Sequence, residues 1–202
     1  METTSSREVI LKGIRYSNLF LIKQEAEAPQ IPVFQRADTP LKPEFEVHLQ
    51  KAGGVAHDVS SVAEVETKLA VLHPEAMVIC SAVPEIAGTR KVTEVHDPHE
   101  LADVDVGIVR AQFGVAESGA VWLTQEDLVV DALGFLSQHL IVLLDPNEIV
   151  SDMHAAYLRV RLDETAFGCF MMGPSATADV EATLVHGAQG ARSLNIFFLP
   201  PM

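Results

Sequence analysis

The stretch HLIVLLD (His139–Asp145) decides the fold class. It is apolar at every position between a histidine and an aspartate, and it is too short for a buried helix. A strand with no polar alternation has both faces covered, and such strands belong to parallel sheets. Reading outward from it, AMVICSAV (76–83), the CFMM run inside GCFMM (168–172) and LNIFFLP (194–200) have the same texture. DVDVGIV (103–109) alternates Val104, Val106 and Ile108, and a second apolar run leads to Leu123.

Helical patterns lie between these runs. SSVAEVETKLAVL puts Val62, Val65, Leu69 and Leu72 on one face, and Ser61 with Glu64 forms a capping box. DPNEIVSDMHAAYLRVRL aligns Ile149, Met153, Ala156 and Val160 behind Asn147 as N-cap. TADVEATLVHG reads as a third helix, with Thr177 as cap, Asp179 and Glu181 in its first turn and Gly187 at its end. Val180, Leu184 and Ala188 would form its packing face. Strands alternating with helices predict an α/β domain, a largely parallel sheet flanked by helices, over residues 45–202.

Residues 1–44 read differently. Ser6 to Lys23 predicts a short helix with a ragged apolar face. Beyond it Pro29, Pro32, Pro40 and Pro43 predict an extended arm, either a mobile tail or a clasp through which subunits associate.

A formal net charge of -14 argues against nucleic acid and anionic membranes as partners. No apolar run is long enough to span a bilayer, and the N-terminus has no h-region of a signal peptide, so a cytoplasmic protein is expected. The two cysteines, Cys80 and Cys169, lie in separate apolar runs and read as buried core thiols. Two thiols cannot hold an ordinary iron–sulfur cluster, so no cofactor is expected in this chain.

Two stretches carry candidate chemistry. In GPSATADVE (173–181), Gly173, Pro174 and Ser175 leave a strand before a helix N-terminus, a place for a phosphate or carboxylate at the carboxyl end of a sheet. Asp179 and Glu181 weigh against an anion there, and a plain cap explains most of the stretch. In FGVAESGAVWL, Glu117 sits in a turn as a candidate base or nucleophile, or as a cap of loop amides. His96 and His99 in HDPH read as a solvated turn before a metal site. His139 lines the sheet end or faces solvent, and Arg192 is a candidate anion ligand beside the GPS loop. The chain has no GxSxG, Walker A or GxGxxG motif.

AESGA (116–120), GPSATADVE, GAQGA (187–191) and LSQHLIVLL (136–144) together resemble the LUD-domain family, whose best-known member is lactate utilization protein C. The resemblance implies a fold akin to ribose-phosphate isomerases, glucosamine-phosphate deaminases and CoA transferases. It also implies an accessory subunit in oxidation of L-lactate to pyruvate, with iron–sulfur clusters carried by partner oxidoreductase subunits. Thr177, Asp179, Gly119 and Gln189 join the GPS residues and Arg192 as implied ligand contacts. Ser118, Ala120, Ala176, Gln189 and Ala191 depart from the family's motifs, where a basic residue and a histidine are usual near the GPS loop. Two alternatives accompany the accessory reading. One is a CoA-transferase-like enzyme using Glu117. The other is a binding module or sensor for a small anion.

Overall fold

The computed structural model describes residues 5–21, 39–161, 163–179 and 182–200. The chain forms two compact units, Met1–Ala37 and Asp38–Met202. The first contains helix α1 (Ser6–Leu21), whose start is tied reciprocally. Glu8 N–H donates to Ser5 Oγ and Ser5 N–H to the Glu8 carboxylate. Val9, Ile10 and Ile14 are each more than half exposed, which fits the ragged face read from the sequence. Pro29 and Pro32 of the predicted arm lie outside the described residues.

The second unit opens with α2 (Leu41–Lys51), and this corrects the reading of Pro40 and Pro43 as extended arm. Pro40 is the N-cap, and Pro43 sits in the first turn, where backbone N–H groups have no intrahelical partner. Proline therefore removes no hydrogen bond there. Phe45 and Leu49, one turn apart, are fully buried. Burying Phe45 alone contributes about 2–3 kcal/mol.

The chain continues through β1 (Val55–Asp58), α3 (Val62–Leu72), β2 (Ile79–Ser81) and β3 (Arg90–Lys91) to β4 (Val106–Arg110), β5 (Phe113–Val115) and β6 (Ala120–Thr124). Short helices α4 (Gln125–Leu128) and α5 (Leu133–Leu136) lead to β7 (His139–Leu144), β8 (Ile149–Val150) and α6 (Met153–Arg159). The strands β9 (Gly168–Met171), β10 (Ala176–Thr177), β11 (Val185–His186) and β12 (Ser193–Phe198) complete it.

Six strands form one sheet in the order β1-β12-β7-β4-β2-β3, and every pairing in it is parallel. The apolar stretch that opened the reading is its centre. Leu140, Val142 and Leu144 of β7 face one core, while Ile141 and Leu143 face the other. Val65 and Leu69 of α3 cover the second face. Ser61 Oγ accepts the Glu64 N–H as expected, although the Glu64 carboxylate turns to the N–H and hydroxyl of Ser60.

The first face is covered by Phe45 and Leu49 of α2 together with Val121 and Leu123 of a second sheet. That sheet, ordered β8-β5-β6-β9, mixes directions: β5 and β8 are parallel, and β6 is antiparallel to both β5 and β9. The CFMM strand thus belongs here and not to the parallel sheet. Phe113, Trp122 and Phe170 pack together on its far side with Ala156 of α6, Phe113 stacked on Trp122 and edge-on to Phe170.

Two helix readings change. Ile149 lies in β8, Asp145 accepts the Asn147 N–H in a 3-10 turn, and α6 begins only at Met153, capped by Asp152. Among the described residues TADVEATLVHG is a hairpin, with Ala176 opposite His186 and Thr177 opposite Val185. Its helical periodicity loses to long-range backbone pairing, because Ser175 N–H donates to Ala191 O and Gly187 N–H to Ser175 O. Val180 and Glu181 lie outside the described residues. Cys80 is fully buried, but Cys169 is only partly so; burial, then Asp131, pushes its thiol up to about 11. Among the described residues no helix is long and apolar enough to cross a membrane.

Candidate functional site

Both motif turns meet at the C-terminal half of α2. In the first, Glu117 Oε1 accepts the N–H of Met153 at 2.7 Å, the first residue of α6. The carboxylate thereby satisfies an orphan donor at the positive end of that helix. The backbone of Glu117 is engaged too: its N–H donates to Ser151 O at 3.1 Å, and its carbonyl pairs with His48 Nδ1 of α2. Gly119 has φ +69°, and a Cβ there would lie 2.2 Å from the Leu49 nitrogen. This glycine lets the helix rest on the turn.

The second turn repeats the device. Gly173 also has φ +69°, and a Cβ would lie 2.2 Å from Ala52 O, just past the end of α2. The Pro174 ring lies against Gly53, 3.4 Å from where its Cβ would be. Ser175 is joined to the next loop through its backbone and through its Oγ, which accepts the Gln189 N–H at 3.3 Å. Gly173, Pro174, Ser175 and Gln189 do share a cavity of about 300 Å³ with Phe135, Met171, Leu140 and Leu194. Leu140 and Leu194 are the second residues of β7 and β12, so this cavity sits at the amino ends of those strands, not the carboxyl ends expected. No helix N-terminus follows the loop among the described residues, and no described lining side chain is charged. The described wall therefore offers an anion no charged partner.

The remaining candidates scatter. Thr177 lies in β10 and its Oγ1 accepts the Asp179 N–H at 3.3 Å, while Asp179 itself is exposed. Asp97 Oδ1 caps the turn at Pro98–Leu101 through the His99 N–H and ring, so HDPH is an exposed cap. Arg192 packs its stem on Gly187 and lines a different cavity from Ser175 and Gln189.

That other cavity, of about 630 Å³, opens at the amino edge of the parallel sheet. His139, the first residue of β7, pairs in register with Ser193, the first of β12, and its Nδ1 lies 2.8 Å from Ser193 Oγ. His73, the residue after α3, stacks on His139 with ring centroids 4.1 Å apart, and its Nε2 is buried with no partner. Burial, then His139, holds His73 below its ordinary pKa; burial, then Arg192, does the same for His139 against the pull of Asp105. The sequence reading left His139 open and missed His73. The signal available was that His139 opens β7 and Arg192 immediately precedes β12, and parallel neighbours share an edge.

Fold and cavities define an α/β protein with a parallel central sheet flanked by helices and a second sheet carrying its loops. The LUD domain family model matches residues 89–199, and the chain belongs to that family. It is 30% identical over 104 residues to an uncharacterized protein of Neisseria meningitidis serogroup B, a match covering 50% of this chain and 45% of that protein. The chain therefore spans about half the length of this relative. A crystal structure of a DUF162 family protein from Deinococcus radiodurans shares the fold, with a TM-score of 0.56 and 17% identity over 79% of this chain and 96% of that one.

Proposed function

We propose that the chain is an accessory subunit in L-lactate utilization, working with iron–sulfur oxidoreductase subunits that carry the clusters for oxidation to pyruvate. Family membership supports the lactate setting. The observation that favours an accessory over a catalytic role is the engagement of Glu117. A nucleophile or base needs its carboxylate facing a substrate, and this one caps α6. Affinity capture of the tagged protein from its native lysate tests the reading. Recovery of iron–sulfur oxidoreductase subunits, with lactate oxidation in the assembly but not in the lone chain, is expected. Lactate oxidation by the purified chain, or stoichiometric iron bound to it, overturns it.

A second reading follows from the cavity beside the GPS loop. Its walls offer Ser175 and Gln189 against Phe135, Leu140 and Met171. Such a pocket favours a small neutral ligand over the small anion expected from the sequence. A thermal-shift screen comparing uncharged with phosphorylated compounds separates the two.

A further inference from the structure

We infer that the cavity at the amino edge of the sheet binds a small monocarboxylate, held between the Arg192 guanidinium and the stacked imidazoles of His73 and His139. Asp103 is held by both guanidinium nitrogens of Arg90, at 2.5 and 2.9 Å. Asp105 accepts the N–H groups of Met77 and Val78 at 2.8 and 2.9 Å. Both carboxylates are thus engaged in holding the cavity wall. Arg192, by contrast, has no side-chain hydrogen bond or ion pair among the described residues, and His73 Nε2 is buried and unpartnered. A guanidinium and two imidazoles on one wall supply the forked donors that a carboxylate accepts.

The same wall limits the charge of the ligand. Glu75, Asp103 and Asp105 all line it, so a second negative charge meets repulsion that a single one, matched to Arg192, largely escapes. A monocarboxylate fits better than phosphate or a dicarboxylate. The groups facing the histidine pair are Arg192, Asp105, Asp103, Glu75 and the C-terminal end of α3. Burial lowers both imidazole pKa values, helped by His139 at His73 and by Arg192 at His139, whereas a bound carboxylate favours their protonation. Affinity therefore rises as pH falls, and bound carboxylate raises both imidazole pKa values by the same linkage.

The test uses imidazole NMR signals of the lone chain, titrated with sodium acetate against sodium chloride at equal ionic strength, and with inorganic phosphate. Because no partner protein is needed, its outcome is separate from that of the accessory-subunit reading. Saturable shifts of His73 and His139 with acetate are expected, with His57 and His99 unmoved and both affected pKa values raised. R192Q should weaken acetate at least about tenfold, and R192K, which keeps the stem against Gly187 and the charge, should retain part of the affinity. Equal response to chloride, phosphate binding as tight as acetate, or unchanged affinity in a folded R192Q protein overturns the inference. Should R192Q fail to fold, the wild-type comparison of acetate with chloride and phosphate decides alone.

Discussion

Around the C-terminal half of α2 the backbone is crowded and the motif side chains already have partners, whereas at the amino edge of β4, β7 and β12 the Arg192 guanidinium and His73 Nε2 have none among the described residues. The first region carries the recognisable motifs, AESGA and GPS, and the second carries none. A motif built on glycine records a geometric demand: Gly119 and Gly173 both hold positive φ with α2 against them. A guanidinium beside stacked imidazoles records only where strand register and the end of α3 bring residues side by side. Recognisable sequence and available chemistry have separated in this molecule.

The contrast breaks first if the glycines prove dispensable. Gly119→Ala and Gly173→Ala each place a methyl 2.2 Å from backbone atoms at a strained φ, so each should lose about 3 kcal/mol or more in urea denaturation. A loss under about 1 kcal/mol in either would show that α2 does not need the close approach. Gly13→Ala in α1, where nothing lies within 4 Å, should instead gain up to about 1 kcal/mol of helix stability.

Glu117 sharpens the comparison at a smaller scale. Glu117→Ala removes the acceptor at the α6 N-terminus and should lower stability by about 1 kcal/mol, while Glu117→Gln keeps an acceptor oxygen and should lose less. In the captured assembly both variants should retain lactate oxidation. Abolition of turnover by the Gln variant with normal stability would return Glu117 to the chemistry.

The smallest effect belongs to pH, since both imidazoles are partly exposed. His73 and His139 have folded-state pKa values below the ordinary 6.5. Their contribution to stability is present above that value and is lost as pH falls through the lowered folded values. Melting temperature should drop on acidification below about pH 6.5, and His73→Gln should flatten that part of the profile. A profile unaltered by the substitution would mean the stacked pair is not coupled to folding.

The sequence makes the sheet legible because β2, β4, β7 and β12 are apolar on both faces, and few structures accept such strands. The α3 cap is legible for a similar reason: Ser61 and Glu64 act within one turn. Helix α2 is hidden because Pro40 and Pro43 signal breakage, and only helix register shows that a first turn tolerates them. The β10–β11 hairpin is hidden by a genuine helical period in TADVEATLVH, overridden by Ser175 pairing with residues 187–191. The stacking of His73 on His139 was beyond reach, since it depends on where the end of α3 meets a strand distant in sequence.

The position of β12 in the sheet also governs the timing of assembly. Among the described residues Val55 to Asp58 pair only with Asn195 to Phe198 in the six-stranded sheet, so β1 waits for β12 before it has a neighbour. Nearly the whole domain must be synthesised before this edge closes. Until then, β1 is an unpaired strand available to other chains, and pairing this distant in sequence is inherently slow. The nascent domain therefore carries an open β1 edge until β12 is made.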